Sequence, residues 1–191
     1  ASGRLNFFFN TAPASGPISF VSQSGTLGIY LFNAAASKGY GFNKFISVGN
    51  CASLTVPDFL EYLGEDPHTR VIVMYLEGVT EGRRFFEIAK EVVKKKPVVI
   101  YKGGRSSAAS RAAMSHTAAL AGTDEVFDAA CRQADIIRMP ECFQPFDLAI
   151  ALSGLPLPTG KRISVIGSGG QCITTADAAS ALGLELPEFD E

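Results

Sequence analysis

Residues 17–28 read PISFVSQSGTLG. Ile18, Phe20 and Val21 make a short apolar run that breaks at Ser22-Gln23-Ser24-Gly25 and leads straight into a segment of helical length from about Thr26 to Ser37. A β-favouring run, a tight Ser/Gly turn and an immediate helix form the opening half of a βα unit. The same grammar recurs outward from this stretch. KFISVG (44–49) precedes VPDFLEYLGE (56–65), RVIVMYLEG (70–78) precedes EGRRFFEIAKEVVKK (81–95), and PVVIYKGG (97–104) precedes a long loop and TDEVFDAACRQA (123–134). A fifth run, DIIRMP (135–140), leads to ECFQPFDLAIALSG (141–154). Five strands alternating with five helices predict a doubly wound α/β domain with a parallel sheet, flavodoxin-like in size. Strand order cannot be read from the residues; in a flavodoxin-like fold it is 2-1-3-4-5.

The boundaries follow from composition. Residues 1–16, ASGRLNFFFNTAPASG, read as an entering linker, and 17–154 as the domain. Residues 155–160, LPLPTG, read as a Pro-rich connector, after which KRISVIGSGGQCITTADAASALGLEL (161–186) restarts the pattern. One βα unit cannot bury both its faces alone, so residues 161–191 either add to the first sheet or begin a second unit. The run KEVVKKK (90–96) reads as a solvated helix end favoured by the dipole. The chain begins with Ala1, which suggests processing or a piece of a longer protein.

Composition narrows the function. A net charge of -2 leaves no basic surplus to hold a nucleic-acid backbone. Cys51, Cys131, Cys142 and Cys172 are widely spaced with no CxxC pair, so they suggest neither zinc nor a disulfide framework, and the thiols are read as reduced and cytoplasmic. No apolar stretch approaches the roughly 18–20 residues of a membrane span.

In doubly wound sheets ligands gather beyond the carboxyl ends of the strands, near the point where the winding reverses. Those ends are Ser22–Thr26, Gly49–Ser53, Glu77–Thr80 and the loop Gly103–Gly122. The turn at Ser22, Ser24 and Gly25 offers hydroxyls, first-turn amides and a close backbone approach, which suits an oxyanion. Ser24 would serve equally as a helix cap, and the two roles are compatible. Glu77 ends an apolar strand with a carboxylate at this edge, where it could orient an imidazole. The imidazole is His116, set among small residues in AMSHTAALAG (113–122). A histidine on a long loop of small side chains could carry a phosphoryl group between two sites. Lys102, Arg105 and Arg111 could screen transferred charge or be solvated basics, and His68 in EDPHTR reads as exposed. VIGSGGQC (165–172) matches a dinucleotide fingerprint loosely, but its Gly169-Gly170 turn makes a second strand-to-helix anion site.

FVSQSGTLG, ISVGN, YLEGV, YKGGRSSAASRAAMSHTAALAGTDEVFDAACRQA and GSGGQCITTADAASALGLEL, in that order, resemble the central part of nucleoside-diphosphate-forming acyl-CoA synthetases, relatives of succinyl-CoA synthetase. The likeness spans roughly Gly16 to Leu186. It implies that His116 is the phosphorylated histidine and Glu77 the carboxylate that positions it. Ser22, Ser24 and Gly25 would start the helix that receives the phosphoryl group, and Gly169 and Gly170 the matching helix of a second subdomain. The implied reaction converts acyl-CoA, phosphate and ADP or GDP to acid, CoA and ATP or GTP through an acyl phosphate and a phosphohistidine.

Mg²⁺, nucleotide and CoA would be handled through CoA-binding and ATP-grasp domains or subunits, in an oligomer. This chain alone is expected not to turn over. Many ADP-forming members carry Gly-Asn-Lys-Ala-Asp where this chain has Gly49-Asn50-Cys51-Ala52-Ser53, a departure that bears on local contacts and substrate choice. The sequence is also compatible with a non-catalytic regulatory module, as in relatives fused to an acetyltransferase, and with an FMN binder with tyrosines as stackers.

Overall fold

A computed structural model describes residues 14–106, 109, 123–156 and 158–188. The chain divides into two units, Ala1–Leu155 and Pro156–Glu191. In the first, β1 (Ser15–Ser22), β2 (Phe42–Ser47), β3 (Val71–Leu76), β4 (Val98–Lys102) and β5 (Ile137–Arg138) form one parallel sheet in the order β2-β1-β3-β4-β5. This is the flavodoxin-like doubly wound order, with winding reversing between β1 and β3.

The helices of this unit are α1 (Gly25–Ser37), α2 (Val56–Glu65), α3 (Gly82–Val92), α4 (Asp124–Gln133) and α5 (Gln144–Gly154). Every residue of β3 is buried, as befits a central strand covered on both faces. Strand alternation sorts side chains into two cores. Ile72, Met74 and Leu76 pack with Leu60 and Leu63 of α2 and Phe85 and Ala89 of α3. Ile18, Phe20, Val73 and Tyr75 pack with Leu31 and Phe32 of α1 and Phe146 of α5. Phe20 meets Phe146 edge to face, with centroids 5.0 Å apart.

The turn between β1 and α1 is set by one close approach. A Cβ on Gly28 would lie 2.6 Å from Ser22 Oγ and 2.8 Å from Ser22 Cβ, so glycine lets α1 lie flat against the end of β1. α2 starts where Asp58 Oδ2 accepts from Thr55 N at 2.7 Å and from Thr55 Oγ1 at 2.9 Å, with Pro57 in its first turn. At the amino edge of the sheet Asp66 accepts from Lys44 Nζ at 2.6 Å, Asn43 Nδ2 at 2.5 Å and Thr69 Oγ1 at 2.5 Å.

Some boundaries differ from expectation. β1 starts at Ser15, inside the stretch read as a linker, because Gly16 and Gly41 let the two backbones meet across a register shift. β5 is only two residues long, as an edge strand pairing with β4 alone at Val99↔Ile137 and Ile100↔Arg138. α5 begins at Gln144 rather than Glu141, with Pro145 in its first turn where no amide is needed. Of the basic run, Lys94 and Lys95 are exposed and pair with Glu91 and Glu65. Lys96 instead turns inward to donate to the carbonyls of Leu63 and Asp66 at the end of α2, at 2.9 and 2.5 Å.

In the second unit, the strand expected at the start of KRISVIGSGGQC before α6 (Gly170–Ala181) is, among the described residues, a single parallel bridge, Arg162↔Glu185. Ile166, Ile173 and Leu182 are largely exposed, as expected of one βα unit.

Candidate functional site

β1, β2 and β3 end side by side at the carboxyl edge, and a small cleft opens there, lined by Gln23, Asn50, Cys51, Glu77, Gly78 and Thr80 among others. The cleft lies at the reversal point between β1 and β3, where a doubly wound sheet accepts ligands.

Gln23 is the link that the sequence reading passed over. Its Oε1 accepts from Glu77 N at 2.5 Å and Gly78 N at 3.0 Å, while its Nε2 donates to Gly78 O at 2.8 Å. Its own backbone N donates to Tyr75 O at 3.1 Å. One side chain from the β1 turn thus satisfies the backbone of the β3 turn on both its donor and acceptor sides. The available signal was the position itself: a side chain with a donor and an acceptor, first after the strand and next to the reversal point.

Glu77 is half-buried, and Tyr75 Oη donates to its Oε1 at 3.1 Å. Tyr75 and Glu77 are two residues apart on an extended segment, hence on one face. Burial, then the charge of Glu77 and the hydrogen bond to it, push the Tyr75 phenol well above its ordinary value, so it remains a neutral donor. Tyr101 stacks on Tyr75 from β4 at 5.8 Å.

Ser24 caps α1, its Oγ accepting from Leu27 N at 3.2 Å. A Cβ on Gly25 would meet Ser47 Oγ at 3.8 Å, ordinary contact, and Gly25 is not among the positive-φ glycines. Among the described residues, neither packing nor backbone conformation demands glycine there, which leaves room for a group to approach the first-turn amides. Ser22 is placed differently from expectation. It is fully buried, and its hydroxyl donates to Ser24 O at 2.7 Å, so it shapes the turn from inside instead of facing the cleft.

The β2 turn brings Cys51 into the cleft with φ 55°, a left-handed conformation that costs a non-glycine residue energy. Its Sγ lies 3.8 Å from Gln23 Nε2 and 3.7 Å from Gly49 O.

Around the start of the loop after β4, Gly103 N donates to Leu76 O at 2.8 Å, tying the loop's first residue to the strand that delivers Glu77. Lys102 is buried beneath Phe127, its Nζ donating to Gly103 O at 3.1 Å; burial pushes its ammonium below the ordinary value, against the opposing pull of Asp124. Arg105 lies 3.7 Å from Asp124 and donates to Pro140 O. Arg138 pairs with Asp124 at 2.5 Å and Asp128 at 3.1 Å. These cations hold α4 to the sheet edge. His116 and Arg111 lie outside the described residues. His68 is exposed. Among the described residues no group of three or more His, Cys, Asp and Glu converges to hold a metal ion.

In the second unit Gly169 caps α6 with φ 60° and ψ -143°, a region open essentially to glycine alone, and Gly170 is the first helical residue. Gly169 O accepts from Cys172 N at 3.1 Å.

Comparison with known proteins accords with this geometry. The family model described as succinyl-CoA ligase like flavodoxin domain matches residues 15–152. The ADP-forming acetate-CoA ligase I subunit alpha of Pyrococcus furiosus is 44% identical over 185 residues, 96% of this chain and 40% of that protein. The ADP-forming 4-hydroxybutyrate-CoA ligase of Nitrosopumilus maritimus is 40% identical over 95% of this chain and 26% of its own length. The solved dinucleotide forming acetyl-coenzyme A synthetase 1 of Ca. Korarchaeum cryptofilum, in complex with phosphate and ADP, superposes with a TM-score of 0.85 at 36% identity, covering 91% of this chain and 38% of that one. The chain therefore spans about 40% of the length of the first of these relatives.

Proposed function

This chain belongs to the succinyl-CoA ligase like flavodoxin domain family, and from that premise we propose that it is the phosphoryl-relay part of an ADP- or GDP-forming acyl-CoA synthetase. The observation that carries the reading is the cleft at the β1/β3 reversal, where Gln23 joins the turn that opens α1 to the turn that bears Glu77. Relatives over nearly the whole chain that bear the names of ADP-forming CoA ligases support it.

In this proposal a ring nitrogen of His116 attacks the phosphorus of an acyl phosphate. The N–P bond forms, the P–O bond to the acyl group breaks, and the carboxylate leaves with that electron pair. The terminal phosphate oxygen of ADP or GDP then takes the phosphoryl group, and the N–P bond breaks. The carboxylate of Glu77 accepts a hydrogen bond from the imidazole and fixes which nitrogen is free to attack. Ser24 and Gly25 present α1's first-turn amides and positive dipole end to the transferred group, and Gly169 and Gly170 do the same for a second stop in the second unit.

The second unit is proposed to be the beginning of a further flavodoxin-like subdomain. Mg²⁺, nucleotide and CoA are assigned to CoA-binding and ATP-grasp domains or subunits of the parent enzyme, in an oligomer. The isolated chain is expected not to complete the reaction. A cytoplasmic setting fits the free cysteines Cys51, Cys131, Cys142 and Cys172.

The test is to incubate the complete enzyme with radiolabelled acyl phosphate or ATP and look for acid-labile, base-stable phosphate. Label on His116 that disappears in His116→Ala is expected. Label undiminished in that variant overturns the assignment, and complete absence of label favours a non-catalytic module.

A further inference from the structure

We infer that Gln23 is a positioning residue for the Glu77 carboxylate, setting where that carboxylate stands by holding the backbone from which it projects. The inference rests on the relay reading above. Glu77 lies just beyond the last residue of β3, where the sheet ladder no longer holds the chain. Its amide and that of Gly78 are held by one acceptor, Gln23 Oε1, at 2.5 and 3.0 Å, and the Gly78 carbonyl is held by Nε2 of the same side chain at 2.8 Å. Three successive peptide units, from the Glu77 amide through the Gly78 amide to the Gly78 carbonyl, are therefore each held from the β1 side by one side chain. Gln23 is held in turn through its backbone N on Tyr75 O at 3.1 Å.

The remaining freedom of Glu77 lies in its side chain, and Tyr75 Oη restrains one oxygen of it. A carboxylate that orients an imidazole must be placed within a fraction of an ångström, and supporting groups of this kind supply that placement. Gln23 has the length and the paired donor and acceptor for the task; asparagine would fall one methylene short, and no purely apolar side chain could hold the two amides.

Gln23→Met keeps length and volume and removes the three side-chain bonds to Glu77 and Gly78. Gln23→Glu keeps an acceptor for both amides. In Gln23→Met the exchange of the Glu77 and Gly78 amides, followed by NMR, should accelerate by about tenfold or more, and Gln23→Glu should restore most of the protection. In the complete enzyme, Gln23→Met should lower the maximal rate of His116 phosphorylation from acyl phosphate by about tenfold, leaving the half-saturating concentration within about twofold. Exchange that does not change in Gln23→Met overturns the grip. Faster exchange with an unchanged phosphorylation rate overturns the positioning role and leaves the relay reading standing. No phosphorylation of His116 in the unaltered enzyme overturns the relay reading, and this inference with it.

Discussion

Tyr75 Oη donates to Glu77 Oε1 at 3.1 Å, so the phenol of the last-but-one β3 residue holds the carboxylate at the mouth of the cleft. Tyr75 is itself buried between Tyr101 and the core beneath α1. Tyr75→Phe should fit that space and remove the donor alone. A hydrogen bond to a charged group is worth roughly 1.5–3 kcal/mol, so the melting temperature should fall by about 3–10 °C and phosphorylation of His116, with the carboxylate no longer held, should slow by about tenfold. Single-turnover labelling beside a thermal melt checks both.

The same phenol gives a stability signature at alkaline pH. Its folded value is raised above the ordinary 10.0, chiefly by burial and then by Glu77. Its contribution is thus fully present below pH 10.0 and is lost as pH climbs from there toward the folded value. Urea midpoints should fall between about pH 10 and 11, and less steeply in Tyr75→Phe.

Asp66 gives the opposite signature. Burial alone would raise its carboxyl, but the Lys44 ammonium, the Thr69 hydroxyl and the His68 amide overcome that and hold it below the ordinary 3.8. A depressed folded value means stability that is complete above pH 3.8 and lost as pH falls below it. Asp66→Asn should cost roughly 2–3 kcal/mol at neutral pH and flatten the acid limb of the urea midpoint.

Ser24 separates capping from anion binding. Ser24→Ala loses the bond to Leu27 N and should destabilise by about 1 kcal/mol. Ser24→Asp restores an acceptor for the cap and suits the helix dipole, yet places a negative charge at the proposed phosphoryl site. Stability close to the unaltered protein with labelling of His116 reduced by about tenfold or more is the expected result. Labelling that follows stability alone would leave Ser24 a cap only.

Gly28→Ala tests the close approach of α1. The new methyl would lie 2.6 Å from the buried Ser22 Oγ, and overpacking of this kind costs roughly 1–3 kcal/mol. The melting temperature should fall by about 3–10 °C. Because α1 must lift at its first turn, labelling of His116 should fall with it.

The βα alternation was readable from single stretches because it is local. VPDFLEYLGE (56–65) coincides with α2, whose start is set by Thr55, Asp58 and Pro57 within one turn. Of DIIRMP (135–140) only Ile137 and Arg138 form β5, because an edge strand's length depends on a partner far away in sequence, here two residues of β4. At the site, Glu77 and Ser24 were legible as polar residues at strand ends. Gln23 was not, because its partners lie more than fifty residues on, and Ser22 was misjudged because its burial depends on Gly28 packing over it.

The sequence by itself determined the parallel α/β class, the strand-end positions of Ser24, Gly25 and Glu77, and the resemblance that marked His116, because side-chain periodicity, turn chemistry and motif spacing are written along the chain. Only the tertiary structure decided that Gln23 closes on the backbone of Glu77 and Gly78, that Ser22 turns inward, and that Lys102, Arg105 and Arg138 brace α4. The first depends on strands distant in sequence lying about 5 Å apart, and the other two on helices packing against the strand ends, which tertiary packing sets and local propensity does not.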